Sequence, residues 1–482
     1  MTGALQNITE CPDGCGLQEA KKTADLLCRL GKAGFSHVRL CVNSRRSERL
    51  GVEGQKLKYC EYGESTMYMA EASWDGEYCC AYASSLEDVE EIIRRLRESA
   101  GTLGNRELPE DIKESKDFRG KRWRQIDREA VAESLKCAER EALACEKAHF
   151  VEMCEYRQYE ETMALVDEHL HYLADDDGNC TFTVRVVAKD GDSVAAATKC
   201  TLLDEAHLPC NKRLAAQGER GEEIEMAGFR EPVCEVARQA AKQARFGLHG
   251  EKISSGSYPI VLENSVMAEL TGHYLSMFYG ENIRRHASPL AGKVGKRVGC
   301  AALHMEEDPF SSQGTRRRRI DDEGTPVART VLMNRGVFEN VLYNRKSAAE
   351  GGTETTGNGF RPDVTADIGT GATNVILSSE EGTFPRKEML KASEGGIYIR
   401  KIKGMFAGAD TESGNFSLLA SGNRIVDGQV ESAVNQFTIS GNICELWEGI
   451  EMIGDDPAYR LVDGACAVSP SVKVGRMMVS GM

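Results

Sequence analysis

The spacing of apolar residues changes twice along this chain. Val89, Ile92, Ile93 and Leu96 recur at three and four, which predicts an amphipathic helix over 86–100. The same period, carried by Ala130, Val131, Leu135, Ala138 and Ala142, predicts a helix over 127–147, and another is expected over 17–30. β-forming residues fill 37–42 and 57–72, the second stretch rich in tyrosine and expected to break into two arms at Gly63. Residues 101–120 read as a charged linker. From His149 the period shortens toward two. Residues 150–165, 166–172 and 181–187 read as strands of a meander, with Ala174-Asp175-Asp176-Asp177-Gly178-Asn179 as a turn between them. Helical spacing returns at 231–246, where Val233, Val236, Ala237, Ala240, Ala241 and Ala244 share one stripe that Gly247 and Gly250 close.

A second unit is expected from residue 250. A strand at 258–262 leads to Ser265, a fair N-cap for a helix over 266–279. Short glycine-punctuated strands follow at 328–333, 374–377, 396–399, 416–419, 424–426, 436–439 and 471–474. Asn334-Arg335-Gly336 and Asp427-Gly428 have hairpin-turn chemistry. The fold class expected is α+β. Residues 1–249 form a helix-plus-meander α/β domain, with the meander from about 149, and 250–482 form an antiparallel, partly closed β domain that carries one helix of interest.

Composition narrows the function classes. Lys+Arg 60 against Asp+Glu 75 gives a net charge of −15, which disfavours nucleic acid and anionic membrane as partners. No apolar run reaches the 18 or so residues of a membrane helix, and Met1 to Asn7 shows no basic or apolar leader, so a cytoplasmic location is expected. The 17 cysteines are odd in number and scattered, which fits reduced thiols; Cys11 and Cys15 stand as a lone pair without a second pair at finger spacing. His169 and His171 fall on one face of the first meander arm, where solvent-facing histidines are the commoner reading. Asp175 to Asp177 lack the further acidic positions of a calcium loop. Arg316 to Arg319, followed by Asp321, Asp322 and Glu323, read as a solvated, self-paired loop.

Ala268-Glu269-Leu270-Thr271-Gly272-His273 carries the chemistry of interest. A metallopeptidase helix needs a histidine ligand, an adjacent glutamate as general base, and a second histidine about one turn on. Glu269 and His273 stand four apart and so share a helix face, while alanine holds the first ligand's position. Gly272 costs about 1 kcal/mol against alanine inside a helix, which points to close packing or a local distortion.

This motif resembles the TldD/PmbA family, together with Arg285-His286-Ala287-Ser288-Pro289-Leu290-Ala291-Gly292, Asp321-Asp322-Glu323-Gly324-Thr325-Pro326, Thr356-Gly357-Asn358-Gly359-Phe360-Arg361-Pro362, Gly414 to Gly422, Thr438 to Asn442 and Ser469 to Gly481. The resemblance implies two related subunits that pair as a heterodimer on unfolded or leader peptides. The TldD-type subunit carries His-Glu-x-x-x-His and a C-terminal cysteine as zinc ligands, and the TldE/PmbA-type subunit lacks that set. Phe416 to Gly422 and Ser469-Pro470-Ser471 are similar to the TldE type. On that resemblance Glu269 is a vestigial base, His273 and Cys466 are remnant zinc ligands, and Ala268 marks the missing ligand. The chain is then expected to be a non-catalytic subunit that pairs with a TldD-type chain or with itself. It would bind no cofactor, zinc lying in the partner or, in a second reading, at His273 and Cys466. Two alternatives stay open. One is a self-sufficient atypical zinc peptidase using Glu269, His273, Cys466 and a further ligand, for which His286 lies about three helical turns away. The other is a non-proteolytic regulatory protein, since some members of the family have been labelled modulators of DNA gyrase. The loop Gly351 to Gly359 and the edges of the β domain are expected to take extended peptide by strand addition.

Overall fold

Long alternating strands, rather than short meander arms, build the N-terminal half. The computed structural model describes residues 16–102, 108–120, 123–204, 208–209, 219–363 and 365–481. Strands β1 (Ser36–Glu53), β2 (Lys56–Trp74), β3 (Glu77–Ala83), β4 (Lys116–Asp117), β5 (Ala148–Asp167), β6 (Tyr172–Asp190) and β7 (Ser193–Leu202) form one sheet in the order β3-β2-β1-β5-β6-β4, with β7 also paired to β6. Gly63 does not break β2; it pairs in register with Ser47. Asp175 to Asp177 are no turn either. They sit in mid-β6, opposite Thr162, Glu161 and Met163 of β5, and are buried. The turn falls instead at 168–171, so His169 and His171 occupy the loop between β5 and β6, where Leu170 has φ 65°. The linker segment contributes β4, which pairs parallel with β6.

Helices α1 (Gly16–Lys32), α2 (Val89–Ser99), α3 (Arg128–Leu143) and α4 (Glu219–Arg245) cover this sheet. In α2, Val89, Ile92, Ile93 and Leu96 are buried as their spacing requires, and Asp88 caps the helix by accepting from the Glu91 N–H at 3.0 Å. Asp127 caps α3 in the same way. Ala237, Ala240 and Ala241 of α4 join Val131, Leu135 and Ala138 of α3 in one core, small side chains letting the two helices approach closely.

The C-terminal half is built from β8 (Gly256–Leu262), β9 (Leu303–Glu307), β10 (Thr330–Asn334), β11 (Val337–Phe338), β12 (Gly359–Phe360), β13 (Gly369–Thr370), β14 (Asn374–Ser379), β15 (Ile397–Lys403), β16 (Asn415–Val426), β17 (Gln429–Asn442), β18 (Ile450–Ile453), β19 (Ala458–Val462), β20 (Ala465–Ser469) and β21 (Val472–Ser480). One sheet runs β17-β16-β15-β8-β21-β18, and β17 also pairs with β21, so five of its strands close into a ring. A second runs β11-β10-β9-β14-β20-β19. Most pairs are antiparallel, but β15 with β8 and β14 with β20 are parallel. Both predicted tight turns hold: Arg335 and Gly336 have φ 48° and 74°, and Asp427 and Gly428 have 51° and 66°, the left-handed pair a two-residue hairpin needs.

Helix α5 (Asn264–His273) lies against β19, β20 and β15, between these two sheets. It starts one residue before Ser265 and ends at His273, where 3₁₀ geometry over Tyr274–Phe278 takes over. The tighter winding buries Tyr274, Leu275, Met277 and Phe278 together.

The arginine run is exposed at Arg317 and Arg319 and self-paired at Arg318, which donates to Asp322 at 2.9 Å, but it is also tied to the N-terminal half. Asp177 accepts from the Arg317 N–H at 2.9 Å and from Arg316 Nε at 2.5 Å, and Asp175 accepts from the Arg319 N–H at 2.6 Å. Buried aspartates of β6 therefore clamp a loop of the C-terminal half. A second tie joins Glu71 of β2 to Arg39 at 2.8 Å and to Arg361 at 3.1 Å. Burial alone would raise the Glu71 carboxyl, yet the two guanidinium groups hold it below its ordinary value.

Candidate functional site: one helix between two cavities

Ala268 is fully buried in α5 and offers no donor atom. Glu269 opens on one side, into a cavity of about 320 Å³ bounded by β7, α4, β15 and β19. Burial pushes its carboxyl above the ordinary value, while Arg460 and Lys401 pull it down. His273 opens on the other side, into a cavity of about 630 Å³ between the two halves of the chain. Asn43, Arg45 and Glu161 line that cavity from the N-terminal sheet, and Arg316, Arg318 and Arg361 line it from the C-terminal loops. The His273 ring stands edge-on to Tyr274, with centroids 5.5 Å apart, and its Nε2 is buried without a hydrogen-bond partner. Glu269 and His273 are thus neighbours on the helix but line different cavities.

The divider is the β19–β20 hairpin. A Cβ on Gly272 would lie 2.7 Å from Val462 Cβ and 3.2 Å from Ala467 Cβ, so only glycine lets the hairpin lie this close to α5. Side chains alternate along β20. Ala467 meets the helix at Gly272, and Ala465 joins the core that contains Leu270. Cys466, between them, points away from the helix and packs with Ile376, Val468 and Tyr459. Burial pushes its thiol up, against hydrogen bonding to Thr315 that lowers it. Cys466 and His273 therefore do not face each other. His286 is exposed at φ 56° in the turn that follows the 280–284 helix.

A catalytic zinc ion takes three protein ligands. At α5 the donors reduce to His273, since Ala268 has none and Cys466 lies across the strand. The residues present do not fit a zinc ion there. Among the described residues, one group of three His, Cys, Asp or Glu side chains has donor atoms within 4.8 Å of one another: Asp111, Glu168 and His169, two of them exposed, far along the chain from α5. Cys11 and Cys15 lie outside the described residues. The loop at 351–359 is tied down, with Thr355 and Thr356 both donating to the Tyr343 carbonyl at 3.0 and 3.2 Å. Sequence reasoning missed the arginines of the His273 cavity and Lys199, Arg400, Lys401 and Arg460 of the Glu269 cavity. They come from segments far apart in the chain, and no local pattern joins them.

Fold and helix together define an α+β protein with a metallopeptidase-type helix and an incomplete donor set. Residues 255–481 match the sequence model of the PmbA/TldA metallopeptidase C-terminal domain. A metalloprotease of Methanothermobacter thermautotrophicus is 27% identical over 344 residues, 64% of this chain and 72% of that one. The metalloprotease PmbA of Escherichia coli O157:H7 is 25% identical over 221 residues, 46% of each chain. A metalloprotease TldD homologue of Buchnera aphidicola is 25% identical over 260 residues, 51% of this chain and 52% of that one. The match thus spans about half the length of the last two relatives. Among solved structures, TldE of Thermococcus kodakarensis superposes with a TM-score of 0.81 at 20% identity, covering 95% of this chain and 100% of that one. A Thermotoga maritima protein proposed to modulate a DNA gyrase superposes at 0.78 and 22%, covering 95% and 99%. These two establish the fold. The C-terminal half is thus similar in sequence to the PmbA/TldD metallopeptidase C-terminal domain, and the chain has the fold of TldE.

Proposed function

We propose that this chain is the TldE-type, non-hydrolysing subunit of a two-component metallopeptidase, working in the cytoplasm on unfolded or leader peptides. The observation that carries the reading is the donor set of α5: alanine in a buried ligand position and Cys466 on the far face of β20. A TldD-type partner would supply the zinc ion and its ligands, and this chain would complete the cleft and hold its shape. Similarity to PmbA and TldD metalloproteases supports the family setting, and the fold of TldE supports the subunit type. In this reading the His273 cavity, open between the two halves, would face the extended peptide; its size and its position between the halves support that role.

The test is co-expression with a full-motif relative from the same genome, with the zinc content of each subunit and hydrolysis of an unfolded protein measured. The expected result is a complex whose zinc and activity depend on the partner's histidines and survive His273→Ala in this chain. A chain that alone carries about one zinc per molecule and cleaves peptide, both lost on His273→Ala, would overturn the proposal in favour of the atypical peptidase.

A further inference from the structure

The cavity beside Glu269 has a charge balance opposite to that of the whole protein. The chain as a whole carries a net charge of −15. Around this cavity stand Lys199, Arg400, Lys401 and Arg460, and the carboxylates that face them are Glu269 and Glu263. Glu263 is engaged already, accepting from Lys199 Nζ at 3.1 Å and from Gln243 Nε2 at 3.1 Å. That leaves Lys401 and Arg460 beside the Glu269 carboxyl, whose ionisation burial opposes, and Arg400 beside the already engaged Glu263.

Arg400 is held in place with one of its donors unpaired. Arg400 lies over the rings of Phe246 and Tyr398, at 5.0 and 5.4 Å from their centroids, and its Nε is buried with no hydrogen-bond partner. Burial lowers its guanidinium from the ordinary value. Desolvation lowers Lys401 as well, and Lys403 and Arg185 add to the effect from β15 and β6. A buried donor without an acceptor costs about 1–3 kcal/mol, and more when it is charged. A pre-positioned group of cations around an open volume of about 320 Å³ is what an oxyanion site needs before its ligand arrives.

We propose that this cavity binds an oxyanion, a main-chain carboxylate or a phosphoryl group, through Arg400, Lys401 and Arg460. Both ligands share the chemistry of a compact anion with several acceptor oxygens. Arg400 supplies the buried donor, and the more accessible Lys401 and Arg460 supply charge at the mouth. The site lies on the Glu269 side of α5, apart from the His273 cavity, so it does not depend on the subunit reading.

The experiment is calorimetric titration of the full chain at low ionic strength with three probes: inorganic phosphate, N-acetyl-trialanine, and its C-terminal amide. Binding of the acid with an inert amide identifies a carboxylate site; binding of phosphate with both peptides inert identifies a phosphoryl site. In either case Lys401→Gln should weaken binding about tenfold and Lys401→Gln/Arg460→Gln at least as much again, the loss expected for charge-assisted hydrogen bonds. Lys401 is exposed, so its single variant keeps the test valid if the double variant fails to fold. The proposal is overturned if no probe binds below about 10 mM, if acid and amide bind alike, or if Lys401→Gln binds as the parent does.

Discussion

Gly272→Ala tests whether the hairpin across α5 is as close as described. Two effects oppose each other. Alanine in place of a helical glycine gains about 1 kcal/mol, and Gly272 is not among the glycines with positive φ, so nothing in its backbone forbids the change. The new methyl would, however, sit 2.7 Å from Val462 Cβ, 2.8 Å from Val462 Cγ2 and 3.2 Å from Ala467 Cβ. Favourable carbon–carbon contact begins near 3.5 Å. None of these atoms is the free end of a flexible side chain. Val462 pairs with Ala465 across the hairpin, so relief requires moving β19 and β20 together. Overpacking of this kind costs roughly 1–3 kcal/mol and occasionally more, and the rigid neighbours place Gly272→Ala at the upper end. The net expectation is a loss of about 1–2 kcal/mol, which lowers the midpoint of the C-terminal half by about 2–8 °C. Differential scanning calorimetry measures it. Val462→Ala should relieve the Cγ2 contact alone, so the double variant should recover part of the loss, with a coupling of about 0.5–1 kcal/mol. An unchanged or raised midpoint for Gly272→Ala would refute the geometry on which the separation of the two cavities rests.

Burial pushes Glu307 up to about 7. A raised carboxyl stabilises the fold while protonated, so this contribution is present below about pH 4.5 and is lost as pH rises through 7, roughly 3 kcal/mol in all. Its Oε1 accepts from the Thr373 N–H and hydroxyl at 3.0 and 2.5 Å, bonds a glutamine oxygen keeps. Glu307→Gln should therefore flatten the fall in stability between pH 5 and 8; urea titrations with the same pH slope in parent and variant would contradict this. Asp177→Ala should cost about 3–5 kcal/mol, because it removes the acceptor of the Arg316 side chain and the Arg317 N–H in a largely buried tie. The loss should appear as faster proteolysis of the 310–330 loop, and a cutting rate equal to the parent's would show that the clamp does not hold that loop.

Features set by neighbours in sequence were legible, and features set by distant partners were not. The stripe of Val89, Ile92, Ile93 and Leu96 reports its own burial through its period, and Asn334-Arg335-Gly336 announces its turn through its tolerance of positive φ. The burial of Asp175 to Asp177 and its tie to Arg316 to Arg319 were missed for one shared reason. Each run alone is too polar for a protein interior, so each reads as a solvated loop. The sequence separation of 139 from Asp177 to Arg316 conceals that each run satisfies the other. Gly63 misled because glycine weakens a strand in general, whereas β2 is held by β1 along its whole length. In the candidate site, Ala268, Glu269 and His273 were found by spacing. The sides to which they open, set by where β19 crosses α5, have no signature in the motif.

Cys466 shows why a residue in a ligand's sequence position need not be a ligand. A one-residue slip of β20 would turn its thiol toward α5 and carry Ala465 and Ala467 to the opposite face. That slip is opposed on every side. Asn374 pairs with Cys466 from β14 and Leu461 pairs with it from β19. The Cys466 N–H donates to the Thr373 carbonyl at 2.8 Å. Ile376, Val468 and Tyr459 would lose the small apolar neighbour they enclose. On the helix side, the small residues Ala465 and Ala467 match Gly272, and a cysteine at Gly272's level would meet a backbone already in contact. The register that keeps Cys466 away from His273 is the same one that lets helix and hairpin pack closely, so restoring a histidine at position 268 would add one donor without bringing the thiol any nearer. A third ligand has to come from outside this contact, which is the geometric reason to look for the metal in a partner chain.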